Sequence, residues 1–264
     1  MVKFEIDDIS LEAPEGMTVL DAARQAGINI PTLCYLKALK PNNACRLCVV
    51  EAEGPSLAPA VLTSCDLPVA EGLVVRTHTE HITKIRQWLL ELLLASMPEN
   101  QQIKALAGTF GVTSTRFNLP TGNSCILCKI CVQACREYLG VSALSLAATD
   151  PASSKVAEFV QLDSSRCVGC GTCANVCPVG AVWIEDKGSE RKISFYGKVV
   201  NILELETCQA CGAHYATKKV IALVNSRLEK EHLKIPAALC PVCAREMNPA
   251  PLPPAAPEAR GGYL

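Results

Sequence analysis

CILCKICVQAC at residues 125–135 and CVGCGTCANVCP at residues 167–178 decide how this chain is read. Both space their cysteines C-x2-C-x2-C-x3-C. The first run holds Cys125, Cys128, Cys131 and Cys135; the second holds Cys167, Cys170, Cys173 and Cys177, with Pro178 behind the last. Such a run builds a pair of [4Fe–4S] clusters. Three cysteines two residues apart wrap one iron–sulfur cube within a tight loop. The fourth lies on the helical turn that follows, points away from that cube and ligates the other. One cluster is therefore assigned to Cys125, Cys128, Cys131 and Cys177, and the other to Cys135, Cys167, Cys170 and Cys173. Gly169 and Gly171 let the backbone close on the cube, so that N–H groups reach its sulfides. A zinc site or a disulfide knot is the alternative. Two runs of the same spacing, the second ending in Cys-Pro, favour clusters.

The rest of the composition agrees with a metal-dependent chain. Sixteen of the 264 residues are cysteine, and they fall in four groups. Aromatic residues are only 5%, which implies small cores and a share of folding energy drawn from metal centres. Twenty-five basic residues against 26 acidic ones give a net charge of −1, which argues against nucleic acid as a partner. MVKFEIDD at the start lacks the apolar stretch of a signal peptide, and no apolar run reaches membrane-spanning length. Cysteines spaced for metal suit a reducing cytoplasm.

Upstream of the two runs the pattern is that of a small sheet. Residues 2–6 and 9–13 read as strands around a turn at Asp7-Asp8. Thr18 and Asp21 open a helix over residues 19–25 that ends at Gly27. Residues 49–53 and 73–77 read as return strands, which describes a β-grasp domain. Cys34, Cys45, Cys48 and Cys65 are spaced C-x10-C-x2-C-x16-C. The close pair with one distant cysteine resembles the plant-type [2Fe–2S] pattern, although the first gap is longer. A four-cysteine zinc site usually has two close pairs, and here there is one.

NACRLCVVEAEG at residues 43–54 and LTSCDLPVAEGLVVRT at residues 62–77 are similar to the N-terminal [2Fe–2S] domain of one family. It comprises the large iron–sulfur subunit of NADH:quinone oxidoreductase, the small diaphorase subunit of NAD-linked hydrogenases, and the front end of several formate dehydrogenases and iron hydrogenases. The paired cluster runs resemble the next part of the same proteins, so the likeness spans residues 1–186. It implies an electron-transfer subunit with two partners. One is a flavin- and NAD(P)-binding diaphorase subunit; the other is a catalytic subunit of the [NiFe]-hydrogenase or formate dehydrogenase type. An electron-bifurcating assembly fits the same resemblance. A free ferredoxin-like shuttle and a self-contained oxidoreductase are the other readings.

Thr77 and Glu80 give a second capping-box signature, opening a helix to Met97 that Pro98 ends. Its apolar face is read as Ile82, Ile85, Trp88, Leu89, Leu92 and Leu93, with Leu90 and Leu94 beside it. Many members of the family carry a further [4Fe–4S] cluster after this helix, held by one histidine and three cysteines. Here MPENQQIKALAG stands in that place, and no cysteine lies between Cys65 and Cys125. That cluster is therefore absent, and His78 and His81 are expected to face solvent. Between the cluster runs, residues 144–147 and 159–162 read as strands around TDPASSK; beyond them, residues 181–185 and 193–200 flank DKGSERK.

Cys208, Cys211, Cys240 and Cys243 close the series as C-x2-C-x28-C-x2-C. Two separated knuckles favour one tetrahedral zinc; a further [4Fe–4S] cluster or a single iron are the alternatives. Val220, Leu223, Val224 and Leu228 mark an amphipathic helix between the knuckles. His214 is read as a bystander. PAPLPPAAPEARGGYL is read as an extended, mobile tail. The expected organisation is α+β. It comprises a β-grasp [2Fe–2S] domain (1–78), a helical connector (79–120), a two-[4Fe–4S] ferredoxin-like domain (121–203), a zinc-ribbon-like module (204–248) and the tail (249–264). No catalytic residue is visible.

Overall fold

Val2, Phe4 and Ile6 alternate with polar residues, the period of a strand with one buried face. In the computed structural model, which describes residues 1–119, 124–148, 158–233 and 238–247, they form β1 (Val2–Ile6). Asp7 and Asp8, both at positive φ, turn the chain back into β2 (Ile9–Ala13). Helix α1 (Val19–Gln25) starts at Thr18, whose side chain accepts the Asp21 N–H at 3.1 Å, and stops at Gly27. Three more strands follow: β3 (Val49–Gly54), β4 (Leu57–Thr63) and β5 (Val74–Arg76).

The sheet order is β2-β1-β5-β3-β4, with β1 and β5 parallel and the other pairs antiparallel. Phe4, Ile6, Val19, Leu20, Val50 and Val75 share its core. Strand β4 has no counterpart in the sequence reading. LAPAVLT carries Pro59 and little alternation, features tolerated because β4 is an edge strand.

Helix α2 (Glu80–Ser96) departs from the sequence reading at both its cap and its face. Thr79, not Thr77, is the N-cap and accepts the Ile82 N–H at 3.2 Å. Thr77 is wholly buried and donates to the Asp7 carboxylate from both its N–H and its hydroxyl. The buried stripe is Ile82, Arg86, Leu90 and Leu94, four residues apart, whereas Trp88 is 57% exposed. Arg86 hides that stripe: a charged residue within it makes the neighbouring leucines look like the inward face. Helix α3 (Gln101–Thr109) is capped by Asn100 and packs on α2.

Two compact units divide the chain, Met1–Ile130 and a second beginning at Cys131. At and beyond this boundary come α4 (Ile130–Glu137), the antiparallel pair β6 (Leu144–Ala148) and β7 (Glu158–Leu162), and the single turn α5 (Thr172–Asn175). A four-stranded antiparallel sheet follows, built from β8 (Val182–Lys187), β9 (Glu190–Phe195), β10 (Lys198–Thr207) and β11 (His214–Thr217), in the order β11-β10-β9-β8. The single strand expected over residues 193–200 is in fact a hairpin. Tyr196 and Gly197, both at positive φ, reverse the chain there.

Helix α6 (Lys218–Lys230) contains the expected Val220, Leu223, Val224 and Leu228 and is capped by Thr217. Helix α7 (Pro241–Met247) closes the described chain. The TDPASSK turn and the Pro-rich tail lie outside the described residues. Among the described residues no helix is long and apolar enough to cross a membrane.

Candidate iron–sulfur and metal centres

Cys34, Cys48 and Cys65 are buried and Cys45 half-buried; Cys48 and Cys65 belong to the core of the N-terminal sheet. The Cys45 N–H donates to Cys34 Sγ at 3.3 Å, and the Leu33 N–H donates to Cys45 Sγ at 3.4 Å. A hydrogen bond from the Cys34 side chain lowers the Cys45 thiol to about 6, helped by backbone N–H groups and opposed by burial. The Cys65 side chain lowers Cys48 in the same way. Cys34 and Cys65, which hold the shared protons, are pushed up by those bonds and by burial. The four sulfurs thus fall into two couples, Cys34 with Cys45 and Cys48 with Cys65. A metal centre would displace the two protons they retain.

The cluster runs share a backbone shape that their side chains conceal. Gly169 and Gly171 lie two and four residues past Cys167, both left-handed. Leu127 and Lys129 hold the same places after Cys125 and are left-handed too, although neither is glycine. That conformation costs an ordinary residue about 1–2 kcal/mol. Two non-glycines held this way in one cysteine loop point to a functional constraint, and successive N–H groups turned inward make a nest for anions. At Gly169 a side chain is also excluded from behind, because a Cβ would lie 2.5 Å from Leu203 and 2.7 Å from Thr217.

Cys135, Cys167, Cys170 and Cys173 line one cavity, together with Leu144 and Ile193. Burial raises Cys173 to about 12 and raises Cys167 as well. Two polar side chains stand at this site. Arg191, tied to Asp186 at 2.7 Å, donates to the Gly169 carbonyl at 2.9 Å. Asn201 faces Cys167 and favours its thiolate as a donor, while among the described residues its buried Nδ2 meets no acceptor at full hydrogen-bond geometry. An orphaned donor beside a cysteine sulfur fits an anionic thiolate-bound cluster. Of the companion set, Cys125 and Cys128 belong to the first compact unit, and Cys131 and Cys177 to the second. Leu127 N–H donates to Cys125 Sγ at 3.3 Å, and Ala181 N–H to Cys177 Sγ at 3.2 Å. The structure also joins the first two cysteine loops, since Asn42 Nδ2 donates to the Cys128 carbonyl at 3.0 Å. Next to it, Asn43 Oδ1 accepts from Cys65 Sγ at 3.0 Å.

Cys208, Cys211, Cys240 and Cys243 bring all four sulfurs within 4.8 Å of one another. Backbone N–H groups, Cys240 first, lower the Cys208 thiol to about 6. His214 is not in this group; it meets the Thr207 hydroxyl at 3.2 Å. His78 and His81 are largely exposed and face the carboxylates of Asp7 and Glu51. None of the sixteen cysteines is joined in a disulfide.

The 2Fe-2S iron-sulfur cluster binding domain family matches residues 1–80, and two 4Fe-4S dicluster domain families match residues 124–181 and 159–216. An NADH-quinone oxidoreductase subunit of Rhizobium meliloti is 36% identical over 209 residues, covering 69% of this chain and 24% of its own length. The NADP-reducing hydrogenase subunit HndD of Solidesulfovibrio fructosivorans is 34% identical over 218 residues, covering 69% of this chain and 36% of its own. A chain of the NAD+-reducing [NiFe]-hydrogenase, solved in the H2-reduced state, is 30% identical with a TM-score of 0.57, covering 68% of this chain and 85% of that one. The chain belongs to this iron–sulfur subunit family. Its matches run from one [2Fe–2S] domain model to two overlapping [4Fe–4S] dicluster models. It spans between 24% and 36% of the length of these two curated relatives.

Within the family's pattern, helix α3 occupies the segment where the sequence lacks a histidine–cysteine cluster. Sequence reasoning missed Asn42, Arg86, Arg191 and Asn201. Only Asn201 left a signal, as the polar residue within VVNIL at residues 199–203, although nothing local names its partner.

Proposed function

We propose that this chain is the electron relay of a multi-subunit cytoplasmic oxidoreductase. It would connect a flavin- and NAD(P)-binding diaphorase subunit with a catalytic subunit of the [NiFe]-hydrogenase or formate dehydrogenase type. The observation that carries the proposal is the contact of the first two cysteine loops through Asn42. It supports a path from the N-terminal set to the loop that carries Cys125 and Cys128. Cys34 and Cys45 hold one iron of a [2Fe–2S] centre, and Cys48 and Cys65 the other, following the two couples described above. Cys125, Cys128, Cys131 and Cys177 hold one [4Fe–4S] cluster; Cys135, Cys167, Cys170 and Cys173 hold the second. Bound there, such clusters accept and release one electron at a time. Asn201 and the Arg191–Gly169 contact orient the loop of the second cluster, and Asn42 fixes the first two loops at constant separation. The N-terminal sheet with its crossing helix is a β-grasp.

The C-terminal module is assigned to zinc. Zn–S bonds of about 2.3 Å place tetrahedral sulfurs about 3.8 Å apart. Cys211 Sγ and Cys240 Sγ lie 3.7 Å apart. A four-iron cube gives each sulfur its own iron and needs a wider cage. Zinc has no redox chemistry, so the module is structural and the relay ends at the cluster pair.

Metal and sulfide analysis of the purified chain tests both assignments. About ten iron and one zinc are expected from one two-iron and two four-iron centres. About fourteen iron without zinc overturns the zinc assignment. The relay itself fails if the isolated chain reduces a viologen dye with NAD(P)H, formate or hydrogen unaided.

A further inference from the structure

The largest wholly buried side chain in the first unit is a cation, Arg86. It lies on α2 in the stripe that packs inward, where Ile82 and Leu90 flank it. Its Nε donates to the Leu47 carbonyl at 3.0 Å, Nη2 to the Val49 carbonyl at 2.9 Å, and Nη1 to the Thr77 carbonyl at 2.9 Å. The Phe110 ring covers it at 5.9 Å. Burial draws the guanidinium down to about 10, so it stays charged at neutral pH. Among the described residues none of the ion pairs includes it. Asp7 favours the cation from a distance, less strongly than Cys48 does, and is linked to it through Thr77, which donates to the carboxylate and offers its own carbonyl to Arg86. A buried charge without an opposite partner is strongly unfavourable, and carbonyl dipoles alone offset only part of that.

The position of the two shared carbonyls identifies the missing partner. Leu47 and Val49 flank Cys48, and the Cys48 sulfur is the leading charge that favours the Arg86 cation. Two ferric ions, two sulfides and four thiolates sum to a doubly negative centre; one added electron makes it triply negative. We propose that Arg86 is the buried counter-ion of the two-iron centre at Cys34, Cys45, Cys48 and Cys65, and that its charge holds the reduction potential of that centre up. The inference rests on the proposed [2Fe–2S] assignment and adds a positioning residue to it. Arg86 touches the loop, not the irons. It acts through the field across Cys48 and through the two carbonyls that fix the loop's shape. The sign follows directly: a nearby cation stabilises the more negative, reduced form.

The test uses the full-length chain, reconstituted with iron and sulfide under anaerobic conditions and reduced by dithionite during an EPR-monitored potentiometric titration. Arg86→Gln removes the charge and keeps a donor; Arg86→Lys keeps the charge and loses the fork. The Gln variant is expected to shift the reduced-to-oxidised ratio of the [2Fe–2S] centre at least tenfold toward oxidised, a fall of about 59 mV for one electron. The Lys variant should stay near wild type, and the [4Fe–4S] signals should stay in place in both. Loss of the two-iron centre in the Gln variant but not in the Lys variant also supports the charge role. An unchanged or raised potential in the Gln variant, an equal fall in both variants, or loss of the centre in both overturns it. A wild-type chain without a [2Fe–2S] signal instead fails the cluster assignment on which the inference rests.

Discussion

Cys48 and Cys65 share a core with Phe4, Ile6, Val19, Leu20, Val50 and Val75, whereas Cys208, Cys240 and Cys243 form one with Tyr215 and Leu239. Both regions gather four cysteines, yet they reach that state by different physics. In the first, a five-stranded sheet and a helix bury apolar side chains, and the cysteine loop is laid over a framework that stands by itself. In the second, the sulfurs are themselves most of what is buried. An apolar core of that size cannot offset the entropy of ordering its loops, so a metal bound there would have to supply the difference. The comparison separates metal bound by a fold from a fold made by metal.

Chelation is the largest perturbation available to that contrast. Stripping metal from the whole chain should abolish the amide protection of residues 208–217 and 238–247. Strands β1, β3 and β5 should stay protected. With the proposed zinc removed, the module would forgo a binding free energy on the order of 10 kcal/mol, more than its apolar contacts supply. Hydrogen exchange followed by mass spectrometry reads both regions in one sample. If the N-terminal strands lose protection together with the knuckles, the contrast is broken and the sheet too is metal-dependent.

A smaller effect sharpens the other half. Leu90 is wholly buried on α2, beside Arg86, while Trp88 stands largely in solvent against Arg116. Leu90→Ala should destabilise the first unit by about 2–5 kcal/mol in a denaturant titration. Trp88→Ala should cost about 1 kcal/mol or less, the scale of an exposed cation–π contact. The reverse order would restore the face that apolar periodicity suggests and undo the placement of Arg86.

That reversal shows where the sequence is legible. Cysteine spacing survives any tertiary context, because ligand geometry dictates it; hence the four groups and the element order can be read directly. Strands β1 and β2 and helix α1 are legible because turn, cap and alternation agree at Asp7-Asp8, Thr18 and Gly27. Strand β4 is not, since an edge strand needs no alternating apolar face. Helix α2 misleads because periodicity rules treat arginine as outward-facing, and only a buried set of carbonyls turns it inward. Asn42 and Asn201 belong to the same class. Their partners are a backbone carbonyl and a cysteine far along the chain, which no local pattern announces.

The smallest effect concerns the start of α2, where two threonines compete for one role. Thr77-His-Thr-Glu80 spells a capping box, yet the side chain that accepts a helical N–H is that of Thr79. Thr79→Ala should therefore cost about 1 kcal/mol, and Thr79→Ser should restore most of it, because the serine hydroxyl can accept the same N–H. The fall should appear in the denaturant midpoint of the first unit and in faster exchange at Ile82. Metal binding at Cys208, Cys211, Cys240 and Cys243 should not move, since those residues belong to the other compact unit. Thr77→Ala acts differently: it removes the hydroxyl that meets Asp7 and leaves the backbone carbonyl that meets Arg86 in place. Were Thr79→Ala silent while Thr77→Ala frayed the first turn, the cap would lie at Thr77. Arg86 would then hang from a helix end rather than from a buried threonine just past β5.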